Sequence, residues 1–294
     1  MLLMTELALI FTQQVLFLDH QTFSPTNSRM QSQPNNEIQL IIGHKRPDFK
    51  IWSGHKFATL DPIDQNDFKL DDDFELKEAL PDALIGEYYF LFLLRRQLEQ
   101  ISSIKSVTIS QYRRFVTINP IGKPSENLTY SNVVSPTEAS DTSISNLICP
   151  KKDGWLISSE FKNSPNVAFH YSKYHILRDW FRFLSDAFDA NFLSQVEITE
   201  ASLVDRMIPA PSNGVFPVQF FIEHLKRLEL CALAFKNNGY LQRDSYQRRV
   251  IGFCLERLHS YFLLATLARL KINFNDVSGR QILVSESTAV KATI

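Results

Sequence analysis

Tyr112, Arg113 and Arg114 stand together behind the β-rich run Val107-Thr108-Ile109-Ser110-Gln111. A guanidinium grips phosphate through a planar fork of donors, and a tyrosine ring offers a face on which a base or sugar can stack. Neighbours on an extended strand point to opposite faces, so one arginine of the pair at most faces a cleft. An exposed charged pair beside a core aromatic reads from the same residues, because arginine usually lies at the surface. His44 and Lys45 follow the apolar run Ile38 to Ile42 and Gly43. A basic loop at the carboxyl end of a first strand is where open α/β sheets bind ligands; a solvated loop is the plainer reading. Glu87 opens an aromatic helical stripe, where an acid also suits the helix dipole. Asp71-Asp72-Asp73 offers hard oxygen ligands, or a solvated acidic turn. His175 and Asp179 are four apart and share a helix face, whereas His170 and His175 do not. Glu256 and Arg257 interrupt an apolar helix, as a buried structural ion pair or as an arginine aimed at phosphate.

The elements that must position these groups read as α/β. Ile38 to Ile42 predicts a buried strand. Leu84 to Gln100 predicts a helix after Pro81, and Val107 to Val116 a strand whose end presents Tyr112, Arg113 and Arg114. Residues 119–146 read as a long polar excursion, and Leu147 to Pro150 as a short strand. Helices are expected at Tyr174 to Phe188, Pro217 to Phe235 and Tyr246 to Leu270, with a short strand at Gln281 to Val284. Residues 1–37 read as an N-terminal amphipathic segment and polar linker, 38–272 as the folded domain and 273–294 as a C-terminal tail.

The 294 residues suffice for a sizeable core. A formal net charge of −1 excludes a global field for nucleic acid or acidic lipid, so local patches must carry any anion binding. The 3 cysteines form neither a disulfide framework nor a metal knuckle, which fits a cytoplasmic location. The apolar start lacks a basic n-region and a cleavage site and is short for a membrane span; packing on the domain or partial disorder is the plainer reading, and an amphipathic helix in peripheral contact with the inner membrane face is the alternative. Phosphate-cradling glycine loops, HExxH and GxSxG are absent.

Several segments, in order, resemble a family of bacterial capsular and exopolysaccharide biosynthesis proteins, described as glycosyltransferases or as a domain of unknown function. Its hallmark is His-Tyr-Arg-Arg-Tyr at a strand end, matched by Gln111-Tyr112-Arg113-Arg114-Phe115. Gly43-His44-Lys45 matches its Thr-His-Lys, and Ile148-Cys149-Pro150-Lys151-Lys152 its Leu-Pro-Lys-Lys. Tyr171, His175 and Asp179 fall on its Tyr-rich stretch, and Asn213 on an Asn before its penultimate helix. Tyr246-Gln247-Arg248-Arg249-Val250-Ile251-Gly252-Phe253-Cys254-Leu255-Glu256-Arg257-Leu258 is similar to its Tyr-Gln-x-Arg-Val-x-Gly-Phe-x-x-Glu-Arg-Leu.

The resemblance implies a GT-A-like (Rossmann-like) mixed, mainly parallel sheet flanked by helices, with a helix-rich C-terminal half. It implies sugar transfer from a nucleotide diphosphate sugar to a glycan or lipid-linked acceptor in surface polysaccharide biosynthesis. Donor binding then falls to His44, Lys45, Gln111, Tyr112, Arg113 and Arg114, and catalysis to Asp179 and Glu87. Acceptor contact or support falls to His175, Asn213, Arg249, Glu256 and Arg257. No metal ligand is assigned; a divalent ion (Mn²⁺ or Mg²⁺) is left open. The hallmark His is Gln111 here, and glutamine cannot serve as a general base near neutral pH. The family's acidic segment is also poorly reproduced in residues 61–80. A non-catalytic nucleotide- or glycan-binding module is therefore the alternative.

Overall fold

The computed structural model describes residues 36–163, 165–238 and 243–289. The chain divides into a unit Met1–Pro34, which holds the expected amphipathic segment and lies outside the described residues, and a unit Asn35–Ile294, which holds everything that follows. Its strands are β1 (Glu37–Ile42), β2 (His55–Thr59), β3 (Phe68–Lys69), β4 (Ser106–Gln111), β5 (Arg114–Thr117), β6 (Lys123–Pro124), β7 (Ser131–Val134), β8 (Leu156–Ser158), β9 (Phe161–Lys162), β10 (Arg206–Met207), β11 (Gly214–Pro217) and β12 (Ser278–Val284). The helices are α1 (Phe74–Ala79), α2 (Asp82–Ile85), α3 (Tyr88–Leu98), α4 (Pro136–Ala139), α5 (Val167–Tyr174), α6 (Leu177–Asp189), α7 (Gln195–Leu203), α8 (Val218–Asn237), α9 (Val250–Arg269) and α10 (Phe274–Val277).

The main sheet is mixed. Strands β1, β2, β3, β4, β7, β8 and β12 run one way, and β5, β6 and β11 run against them. Inside it β4, β11, β8, β12 and β5 pair in a closed ring, which departs from an open, mainly parallel sheet. Both faces of the sheet are covered, so its inner strands are apolar on both sides. Leu40 and Ile42 of β1 join the large core formed with α3, α8 and α9, while Ile41 between them joins Phe49, Trp52 and Phe115 on the opposite face. That alternation is the period of an extended chain.

Helix α9 is buried nearly all round, as its uniform hydrophobicity requires. The run Ser245–Arg269 is long and apolar enough to cross a membrane, but 83% of its most apolar window is buried in the fold, so it serves as a core helix. Arg95 and Arg96 of α3 both pair with Glu229 of α8. Removing one partner of such a buried pair strands the other charge, at a cost of about 3–5 kcal/mol.

Several expected boundaries shift, each for a local reason. The single strand expected over Val107 to Val116 is a hairpin: Gln111 pairs with Arg114, and Tyr112-Arg113 form the turn between β4 and β5. The helix expected over Leu84 to Gln100 breaks at Gly86, which has φ +61° and caps α2. Tyr174 and Ile176 do not share a helix, because α5 ends at His175 and Ile176 precedes α6. Leu147 to Pro150 is not a strand; the 3-10 turn Thr142–Leu147 ends there, and the strand forms later as β8. The polar excursion of residues 119–146 contributes β6, β7 and α4. The short strand expected at Gln281 to Val284 forms as β12, which begins earlier, at Ser278, and pairs with β5, β7 and β8, so the sheet takes in part of the stretch that read as a tail.

Candidate functional site

The turn after β4 sorts the basic residues into two groups. Tyr112 packs its ring on Gly43, where any side chain would collide with it, and its backbone N–H donates to the Ile42 carbonyl at 3.0 Å. Lys45 Nζ lies 5.5 Å and the Arg113 guanidinium 5.4 Å from the centre of that ring, within cation–π range. Lys45, Asp48, Tyr112, Arg113, Pro136 and Glu286 line a cavity of about 210 Å³. Lys45 also pairs with Asp48 at 3.1 Å. Arg113 is exposed at the turn tip and Arg114 half-buried at the start of β5, so the adjacent arginines serve different surroundings.

Arg114 belongs to the second group, which gathers at the carboxyl edge of the parallel strands. The loop after β1 brings His44, whose Nδ1 lies 3.8 Å from Asp82 and whose ring meets Phe90 edge-on at 5.1 Å. The break between α2 and α3 brings Glu87. The segment before β11 brings Ser212, whose hydroxyl donates to Glu87 Oε1 at 3.3 Å, and Asn213, whose Nδ2 donates to the Arg114 carbonyl at 3.5 Å. Ala210 in that segment has φ +45°, a conformation a non-glycine residue holds at some cost. The 3-10 turn Ser245–Arg249 and α9 bring Arg249, Glu256 and Arg257. Arg249 occupies the space that a side chain at Gly86 would need. Gly252 lets α9 approach the Ile85 carbonyl, which a methyl group there would meet at 2.9 Å; this close approach sets Glu256 against Glu87.

The electrostatics follow from this packing. Burial and then the neighbouring Glu256 carboxylate push the Glu87 carboxyl above its ordinary range, while Arg114, Arg249 and the Ser212 hydroxyl pull it back. Burial holds His44 below its ordinary value; Asp82 opposes that shift and Arg249 adds to it, which favours the neutral imidazole at neutral pH. His175, stacked on Phe253 at 4.1 Å, is lowered to about 3 by burial and by Arg257. Arg257 is 1% exposed. It donates to the Phe253 carbonyl at 2.9 Å, lies 3.7 Å from Glu256 and sits over the Tyr171 ring at 5.0 Å. Its Nε and Nη2, Arg114 Nε and Asn213 Oδ1 are buried without hydrogen-bond partners. Buried polar atoms are rarely left so; others among the described residues, such as those of His55, Asn163 and Trp180, lie elsewhere in the fold.

His44, Glu87, Arg114, His175, Asn213, Arg249, Glu256 and Arg257 thus come together, and Lys45, Tyr112 and Arg113 adjoin them across the turn. Gln111 is buried in β4. Asp179 is not among the groups whose charge acts on Glu87; it is held in a bidentate ion pair with Arg243 at 2.7 and 3.2 Å. The acidic run is engaged locally: Asp73 caps α1 and pairs with Arg96, and Asp72 accepts from the Tyr89 hydroxyl at 3.3 Å. No group of three or more His, Cys, Asp or Glu side chains suited to a metal occurs among the described residues. Sequence reasoning missed Ser212, which donates to Glu87, and Tyr130, which the charges of Arg114 and Glu256 reach. Tyr246, at the head of the last matched motif, lies within reach of the same charges; Ser212 adjoins the matched Asn213, and Tyr130 belongs to no motif.

No family model and no curated protein matches the sequence. Among solved structures, the fold matches that of the WbbM bifunctional glycosyltransferase in its apo form, with a TM-score of 0.64 and 14% identity over 86% of this chain. The chain spans 46% of that structure's length. At this identity the likeness is one of fold: a mixed α/β architecture similar to that of a glycosyltransferase.

Proposed function

We propose that the chain is a glycosyltransferase with a GT-A-like domain. It moves a sugar, a hexose or similar, from a nucleotide diphosphate sugar to a glycan or lipid-linked acceptor in surface polysaccharide biosynthesis, in the cytoplasm or at the inner membrane face. The observation that carries this reading is the gathering of Glu87 with Glu256, Arg114 and Arg249 within electrostatic reach, with Ser212 bonded to Glu87 and Asn213 to the Arg114 carbonyl. The fold likeness supports it.

The nucleotide diphosphate lies along the edge from Lys45 and Tyr112 to Arg114. The acceptor hydroxyl oxygen bonds to the anomeric carbon as the carbon–oxygen bond to the diphosphate breaks, and the bonding electrons leave with the diphosphate. Arg114 and Arg249, already oriented by packing, stabilise the charge that develops there. Glu87 takes the hydroxyl proton; a carboxylate raised toward the working pH is the better base. Asn213 and Ser212 hold Arg114 and Glu87 in place. His44, neutral, contributes hydrogen bonds rather than charge.

Thermal-shift and turnover measurements over a panel of nucleotide diphosphate sugars, with and without Mn²⁺ or Mg²⁺, test this. Stabilisation by a donor requires binding to the native state. Expected are a donor-dependent rise in melting temperature, product formation, and a kcat reduced about 100-fold in Arg249→Ala. Donor binding with no transfer to any acceptor would leave only the binding-module alternative.

A further inference from the structure

We infer that the cleft formed by the segment before β7, β9 and the end of α5 is a binding site for an acidic saccharide chain, the acceptor glycan of the reaction proposed above. This inference rests on that reading for the word acceptor, not for the binding. The cleft encloses about 610 Å³ and is lined by Tyr130, Glu160, Phe161, Lys162, Tyr174 and Arg280, among others. That is the size of a site for a small molecule or a few sugar rings.

Its wall is aromatic. Tyr130 and Phe161 stack at 4.9 Å with 24° between their planes, Phe161 meets His170 at 5.7 Å, and His170 meets Tyr174 at 5.3 Å. Tyr174 ends this row with 47% of its surface open to solvent. Aromatic faces bearing a polar tip suit sugar rings, whose C–H faces are apolar and whose edges carry hydroxyls.

Its charge is positive. Arg280 donates from Nε to Asn132 Oδ1 at 2.8 Å and from Nη2 to the Ser131 carbonyl at 3.1 Å. Both acceptors are neutral, so these bonds fix the guanidinium without cancelling its charge. Lys162 is exposed on the same lining. The carboxylate there, Glu160, lies 3.5 Å from Arg206 and is offset by it. A carboxylate-bearing sugar finds two cations and a neutralised acid. The cleft borders the strand that carries Arg114: Arg280 lies opposite Thr117 of β5, which begins at Arg114, and the charges of Arg114 and Glu256 reach Tyr130.

Calorimetric titration of the full chain with a tetramer of galacturonic acid and, in parallel, a tetramer of galactose tests the inference without any donor. Expected is tighter binding of the acidic tetramer. Tyr174→Ala should weaken both tetramers about tenfold, as loss of one stacking ring does. Lys162→Gln, an exposed substitution, should weaken only the acidic one, about fivefold, the worth of one solvent-exposed ion pair. Equal binding of the two tetramers, or a preference unchanged in Lys162→Gln, overturns the acidic assignment. Binding unchanged in Tyr174→Ala, or no binding of either tetramer, overturns the cleft. Sugar transfer by a chain that binds neither would remove the cleft and leave the transferase reading standing. Tetramer binding without transfer would do the reverse.

Discussion

At Glu87 burial and then a carboxylate neighbour outweigh two arginines and a hydroxyl, and the carboxyl is raised. A raised acid gives the activity a readable acid limb. Replacing Glu256 by Gln removes a repulsion, so the Glu87 pKa falls and the acid limb of kcat/KM against pH moves to lower pH; an unmoved limb would separate Glu87 from the proton transfer. Glu87→Gln should lower kcat by about 100-fold or more. Asp179 offers the contrasting case. Its bidentate pair with Arg243 is buried at the start of α6, so Asp179→Asn should cost stability, about 3 kcal/mol, visible as a lower denaturant midpoint. A kcat loss in Asp179→Asn larger than in Glu87→Gln would reverse their roles. In the sequence Glu87 and Asp179 looked alike, each an acid near a helix start. The difference lies in partners more than 60 positions away, Arg243 for one and Arg249 and Glu256 for the other, which spacing along the chain does not reveal.

Among the elements, the break between α2 and α3 has the clearest consequence. Gly86 holds φ +61° and leaves room for the Arg249 guanidinium. At φ +61° and ψ −134° Gly86 holds a backbone conformation that side-chain-bearing residues rarely reach, so Gly86→Ala costs about 1–3 kcal/mol and displaces Arg249. Expected are a lower melting temperature and a kcat loss resembling that of Arg249→Ala. A variant with wild-type turnover would show that Arg249 has no fixed place there. The helices were readable because the apolar spacing of α6 and α8 is long and regular and α9 is a long, uniformly apolar run. The β4–β5 hairpin was not: Tyr112-Arg113 lacks the Asn-Gly or Asp-Gly signature of a two-residue turn, and neither residue is among those with positive φ. What commits the chain to turn is the pairing of β5 with β12, a partner that no local window contains.

On the scale of the whole molecule, the mixed α/β class and the place of the basic loop after the first strand were legible from the alternation of strand-like and helical segments along the chain. The closed ring of β4, β11, β8, β12 and β5 was not, because β12 is set in a polar stretch and its partners are distant in sequence. Its Ile282 and Leu283 are buried only because β5 and β7 flank them. A chain ending at Lys271 should therefore lose the sheet on both sides of that gap and show no cooperative thermal transition. A truncated chain that melts like the full one would mean that the ring adds nothing to stability.

The ring also sets an order of events during synthesis. Arg280 of β12 lies opposite Thr117 of β5, a contact spanning more than half the chain, and such distant pairings form late. β5 begins at Arg114, so the guanidinium gains its final surroundings only after residues 278–284 have left the ribosome. A nascent or prematurely released chain would carry the hairpin arginines but not their setting. The last strand thus times the appearance of a working site to the completion of the domain.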